Sequence, residues 1–243
     1  MENNTPDYVY SNVTQLDEAD ASRKFLANVF LWMFVALGIS AFCAYDFANT
    51  PSLQQLLFDP ATHQPTGLAY LVMFAPLAFI LLIRFGLNRI SYPVLALLFI
   101  AYSAITGISL SFILLVYTSA SVVNVFITAS LVFGVMAVAG YTTHQDLTKF
   151  GSIMIMLLFG IIIASVVNMF MHSSGLDMII SYVGVAVFVG LTAYDVQKLK
   201  NIGAGLEYGD ASAKKYAIMG GLTLYLDFIN LFLMLLRVFG RRR

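Results

Sequence analysis

A chain of 243 residues that is 60% hydrophobic and only 11% charged, with a mean hydropathy of +0.84, is not a soluble domain, which carries about 25% charged residues. Thirteen Lys and Arg balance thirteen Asp and Glu, so no global field points to nucleic acid. The single cysteine, Cys43, lies in an apolar run; it forms no internal disulfide and reads as a small packing residue rather than a nucleophile.

A membrane helix needs about 20 mostly apolar residues, because the hydrocarbon core is about 30 Å thick and each residue rises about 1.5 Å. Residues 1–23 make a short polar tail, followed by one transmembrane domain over 24–240 and a basic end at 241–243. The first apolar segment, Phe25 to Phe47, has no small-residue cleavage site behind it and reads as a retained helix. Between Ala48 and Gly67, Pro51, Pro60, His63 and Pro65 predict an irregular loop. Then come Leu68 to Phe85, Val94 to Tyr117, Val122 to Tyr141, Ile153 to Met171 and Leu176 to Tyr194. A second irregular stretch with Gly203, Gly205 and Gly209 spans Gln197 to Lys215, and the seventh segment runs from Tyr216 to Phe239. Unpaired backbone is too costly in lipid, and these runs are twice a barrel strand in length. The fold class is therefore an all-α integral membrane protein of seven segments.

The positive charges sort by parity. Arg23 and Lys24 precede the first segment, Arg84 and Arg89 follow the second, Lys149 the fourth, and Lys198, Lys200, Lys214 and Lys215 the sixth. The connections after segments one, three and five hold no Lys or Arg, which places the N-terminus in the cytoplasm. Arg237 and Arg241 to Arg243 break the pattern: the seventh segment either spans against the rule or enters and returns.

Asp227 is the strongest local signal, about twelve residues from Lys215 and ten from Arg237 within an apolar run. An acid at that depth must be protonated, paired or facing a wet interior. Gly220, Thr223, Asp227, Asn230 and Met234 follow a 3,4,3,4 spacing that puts small and polar residues on one face, with Leu224, Phe228 and Phe232 elsewhere. A polar clasp between helices is the plainer alternative for that face. Asp195 closes the sixth segment, where an interfacial charge paired with Lys198 or Lys200 and a functional acid are equally open. Arg84 and Arg89 either reach a carboxylate across the bundle or anchor in headgroups. Asn168 and Ser165, with Thr106, Ser109 and Ser111, line a path or simply pack. No nucleotide-binding, zinc-protease or serine-hydrolase motif is present, and His63, His144 and His172 are scattered. A non-enzyme without a resident cofactor is expected.

Three blocks carry a family resemblance: Gly140 to Leu147 (GYTTHQDL), Tyr194 to Leu199 (YDVQKL) and Leu224 to Phe232 (LYLDFINLF), with Thr106 to Leu110 (TGISL) a weaker fourth. The chain resembles the Bax inhibitor-1, or transmembrane Bax inhibitor motif, family over roughly residues 20 to 240, and is more similar to its bacterial members. The resemblance implies six helices around a central seventh and a pH-dependent calcium leak in a bacterial inner membrane. It implies that Asp195 pairs with Asp227, the two sharing a proton and titrating as a unit, and that Arg84 or Arg89 latches onto the pair in the closed form. Calcium, as the transported ion, would meet the oxygens of Asp195 and Asp227, with Thr223, Asn230 and Asn168 as path-lining candidates. An acid found within the second segment of some bacterial relatives is missing between Leu68 and Ile83. On straight helices the two aspartates would differ in depth by about 10 Å; tilt, a sixth helix continuing past Lys200, or a shallow return of the seventh must close that gap. The alternative is a non-transporting regulator that binds a membrane protease or another membrane protein through its N-terminal tail, Met1 to Ser22.

Overall fold

The computed structural model describes residues 8–60, 62, 64–86, 90–206 and 211–243, with their side chains apart from those of 8–18, 77, 82, 84–86 and 211. The chain folds into helices α1 (Tyr8–Asn49), α2 (Pro51–Leu57), α3 (Gly67–Gly86), α4 (Tyr92–Val116), α5 (Ser119–Thr142), α6 (Thr148–Met171), α7 (Ser174–Ala204) and α8 (Ala211–Phe239). Among the described residues the extended pairings are two isolated bridges, Phe58 with Pro65 and Tyr117 with Arg242. Among the described residues, six helices are long and apolar enough to cross a membrane: α1 from Ala19, α4, α5, α6, α7, and α8 from Ser212. The protein is thus an all-α integral membrane protein. α3 occupies the second expected segment, with a shorter apolar stretch over Gly67–Leu81 and Pro76 inside it, where the missing N–H removes one helical hydrogen bond.

Three expected boundaries are corrected and one open alternative is closed. α1 reaches back to Tyr8, into the expected tail. The expected loop after it contains α2, which starts on Pro51 after an extended Thr50, the position where proline's fixed φ suits a helix; its Leu57 is buried with Ala69 and Val72 of α3. α7 does not stop at Tyr194 but continues to Ala204, so the second irregular stretch begins only at Gly205. α8 is one unbroken helix long enough to span, which removes the entering-and-returning alternative.

Hydrogen bonds fix which helix ends lie together. The Ser22 hydroxyl donates to the Lys200 carbonyl at 2.9 Å, and the Lys200 ammonium donates to the Tyr141 carbonyl at 2.8 Å. The polar entry to α1 therefore sits with the ends of α5 and α7. At the opposite end, Thr118 N–H donates to the Arg241 carbonyl at 3.0 Å, Arg243 N–H donates to the Val116 carbonyl at 2.9 Å, and Arg237 pairs with Asp177 at 3.5 Å. The four C-terminal arginines thus stand across the bundle from the lysines.

α8 packs against α1, α4, α5 and α7. Its apolar window is 61% buried, against 11% for α6, which packs on α7. Without a hydrophobic force between helices in lipid, close backbone approach must supply the contact, and glycine permits it at two crossings. A Cβ on Gly107 would strike the Ser40 backbone, and one on Gly140 the Ala193 backbone.

Candidate functional site

The polar face expected on α8 is the face turned to α7. Gly220 lies under the Leu199 side chain and Met234 over Gly184. These contacts set an antiparallel register in which Asp195 is level with residues 223–224, roughly one helical turn or about 5 Å from Asp227. Side chains span that distance, and the Asp227 carboxyl is a close neighbour of Asp195. Asp227 is 6% exposed and its Oδ2 is buried without a hydrogen-bond partner, whereas Asp195 is half-buried. The site therefore offers one half-buried acid backed by one enclosed acid.

The depth problem is solved by the continuation of α7 beyond Lys200, one of the routes foreseen. Both lysines are accommodated along the helix. Lys198 lies over the Tyr194 ring, 5.8 Å from its centroid, and Lys200 over the Tyr141 ring at 4.9 Å.

The clamp that holds this end of α7 was not foreseen. Gln197, two residues beyond Asp195, accepts from Leu147 N–H at 2.8 Å and donates from Nε2 to the Gln145 carbonyl at 2.7 Å. It thereby ties the α5–α6 connection to α7. Gly140 presses on Ala193, and Gly151 of α6 makes room for the Tyr194 ring. The blocks GYTTHQDL and YDVQKL thus meet in space; a glutamine inside a block that also held Asp195 was the available signal. In the connection itself Asp146 accepts from the Thr148 hydroxyl at 2.6 Å and from Thr148 N–H at 2.9 Å. Those two bonds, with Lys149 beside them, hold its carboxyl below the usual range.

Other candidates take different places. The Thr223 hydroxyl donates to the Met219 carbonyl at 3.1 Å and the Asn230 amide to the Leu226 carbonyl at 2.8 Å, one turn below and above Asp227. Asn168 accepts from Ser173 N–H at 3.0 Å at the α6–α7 turn. That is 22 residues of helix from Asp195, about 30 Å, and it closes a turn in which His172 adopts φ 53. Arg84 is in the last turn of α3 with its side chain outside the described ones, and Arg89 and His63 lie outside the described residues. Cys43 is half-buried in α1.

A second polar locus sits on the other side of α8. The Ser40 hydroxyl is 2.7 Å from the Ser103 carbonyl, to which it donates, and 2.7 Å from the Tyr225 hydroxyl. Tyr225 is fully buried, edge-on to Phe99 and Tyr102. Thr106, 7% exposed, faces both tyrosines with its hydroxyl outside hydrogen-bond geometry.

Residues 22–243 match the family described as "Inhibitor of apoptosis-promoting Bax1". The chain is 46% identical over 224 residues to the inner membrane protein YbhL of Escherichia coli strain K12, covering 91% of this chain and 93% of that one. It is 45% identical over 230 residues to a Borreliella burgdorferi protein, with the same coverage. A Rickettsia prowazekii protein is 40% identical over 221 residues, covering 91% of each chain.

Proposed function

We propose that the chain, which belongs to the Bax inhibitor-1 family and is of its bacterial type, is a pH-sensitive calcium leak channel of a bacterial inner membrane, its N-terminus cytoplasmic. The observation that carries this reading is the enclosed Asp227 set beside Asp195 between α7 and the most buried helix of the bundle. A merely structural clasp would use neutral amides at lower expense, and a carboxyl pair is both a proton switch and a hard-oxygen ligand for calcium. Two carboxyls do not complete the six to eight oxygens calcium takes; backbone carbonyls and water supply the remainder during passage. In this reading α3 is a seventh span, the other six helices enclose α8, and an arginine at the cytoplasmic end of α3, Arg84 or Arg89, latches the pair when closed.

Protonation weakens the pair's hold on both the arginine and calcium, so pH sets the balance between release of the latch and loss of the ion site. The test is calcium uptake into liposomes holding the purified chain, over about pH 6 to 8. Asp227→Asn should change uptake more than Asp59→Asn in the α2–α3 connection or Asp177→Asn at the start of α7. Ala in place of the latch arginine should raise uptake at neutral pH. Equal responses from the three aspartates would remove the site from the mechanism.

A further inference from the structure

At the end of the bundle away from Asp195, a cavity of about 560 Å³ opens between the start of α5 and the end of α8, lined by Ser121, Asn124, Thr128, Val125, Phe239 and Arg241 among others. Its backbone frame is fixed: Arg241 N–H donates to the Ser121 hydroxyl at 2.8 Å, and the Arg241 carbonyl accepts from Thr118 N–H at 3.0 Å. Arg242 lies over the Tyr117 ring, and Arg237 is held by Asp177. The side chains of Arg241 to Arg243 are exposed. The connections at this end contribute no other Lys or Arg, so these arginines supply the positive charge here, and Arg241 lines the cavity itself.

Asn124 is exposed on α5 in the second turn, beside Val123, Ile127 and Leu131, which are likewise exposed and apolar. A carboxamide on a lipid-facing surface is unfavourable unless it meets a polar group. We propose that the cavity binds the headgroup of an anionic glycerophospholipid. Its phosphate lies against the Arg241 guanidinium and the Asn124 amide, and its acyl chains descend over Ile127 and Leu131. Charge selects the occupant: a choline headgroup would bring a cation against three exposed arginines, whereas a glycerol headgroup leaves the phosphate's charge uncompensated for them.

The experiment is native mass spectrometry of the full chain extracted from vesicles of equal parts phosphatidylglycerol and phosphatidylcholine. We expect phosphatidylglycerol to be retained about tenfold over phosphatidylcholine, with Arg241→Gln removing most of that preference. Asn124→Leu should weaken retention, and Lys149→Ala, at the opposite end, should leave it unchanged. Arg241→Gln keeps the backbone bonds, and its thermal unfolding is measured alongside; if it unfolds early, Asn124→Leu carries the decision. Equal retention of the two lipids, the same loss from Lys149→Ala, or displacement of the lipid by millimolar inorganic phosphate would overturn the proposal.

Discussion

Two polar side chains two residues apart on α8 face opposite seams, Tyr225 towards α1 and α4 and Asp227 towards α7. Both are buried, and a glycine draws the flanking helices together beside each, Gly107 of α4 against Ser40 of α1 and Gly140 of α5 against Ala193 of α7. They differ in what burial leaves over. The tyrosine hydroxyl and Ser40 are neutral and joined to each other and to a carbonyl; Thr106 is the loose member of that group. The aspartate seam instead holds two neighbouring ionisable groups, with Asp227 Oδ2 unpartnered. Neutral satisfied groups fasten helices at no risk, while an enclosed acid with spare acceptor capacity is a standing expense that only a ligand or a proton relieves. The first seam is read as fastening and the second as the working one.

The largest expected effect breaks the working seam. Asp195→Asn and Asp227→Asn should each flatten the pH response of calcium uptake, and the double variant should add little, since one substitution already abolishes the shared proton. Two additive shifts would show that the carboxyls do not communicate and would end the paired-sensor mechanism even if calcium still passed. Next come the glycines. Gly107→Ala and Gly140→Ala each place a methyl on facing backbone and should lower stability by about 1–3 kcal/mol, while Gly134→Ala, where a Cβ meets nothing within 4 Å, should be neutral. Thermal unfolding ranks the three. Uptake separates the seams: only Gly140→Ala, which displaces the helix carrying Asp195, should also alter the pH profile.

Smaller still is Tyr225→Phe, which removes one interhelical hydroxyl but leaves Ser40 bonded to the Ser103 carbonyl. It should cost about 0.5–1 kcal/mol with the pH profile intact. A changed profile would mean that the two faces of α8 are coupled and that the division between them fails.

The enclosed aspartate face was legible as a packing feature because an isolated acid in an apolar run must be covered, and because the 3,4,3,4 spacing survives into the folded helix, where Gly220 and Met234 meet α7. The end of α7 was not legible. Lys198 and Lys200 looked like an interface, yet their long stems lie along Tyr194 and Tyr141, so the helix continues beneath them. α2 was hidden because Pro51 reads equally as loop punctuation and as a first helical residue. The Gln197 clamp depends on which backbone crosses α7, and chain order does not record that. The family resemblance supplied the partner of Asp227; the residues alone left Asp195 ambiguous.

The smallest effect compares the enclosed acid with an exposed one at the same end. Asp146 is open to solvent and fully engaged by the Thr148 hydroxyl and N–H at the start of α6, and those bonds, with Lys149, depress its carboxyl. A depressed carboxyl contributes stability that is present above its unfolded value, about 3.9, and is lost as pH falls through the lower folded value. Screening by solvent keeps that contribution small. Asp146→Asn should therefore lower the unfolding temperature slightly at pH 7, and the difference from the unsubstituted chain should shrink as pH falls below the unfolded value of about 3.9. Unfolding temperatures of both chains at pH 7, 5 and 3 decide it. A difference as large at pH 3 as at pH 7 would mean that Asp146 acts through the shape of the turn rather than its charge. The contrast with Asp227 would then rest on burial alone, because the exposed acid would no longer illustrate what ionisation does when solvent and hydrogen bonds are both at hand.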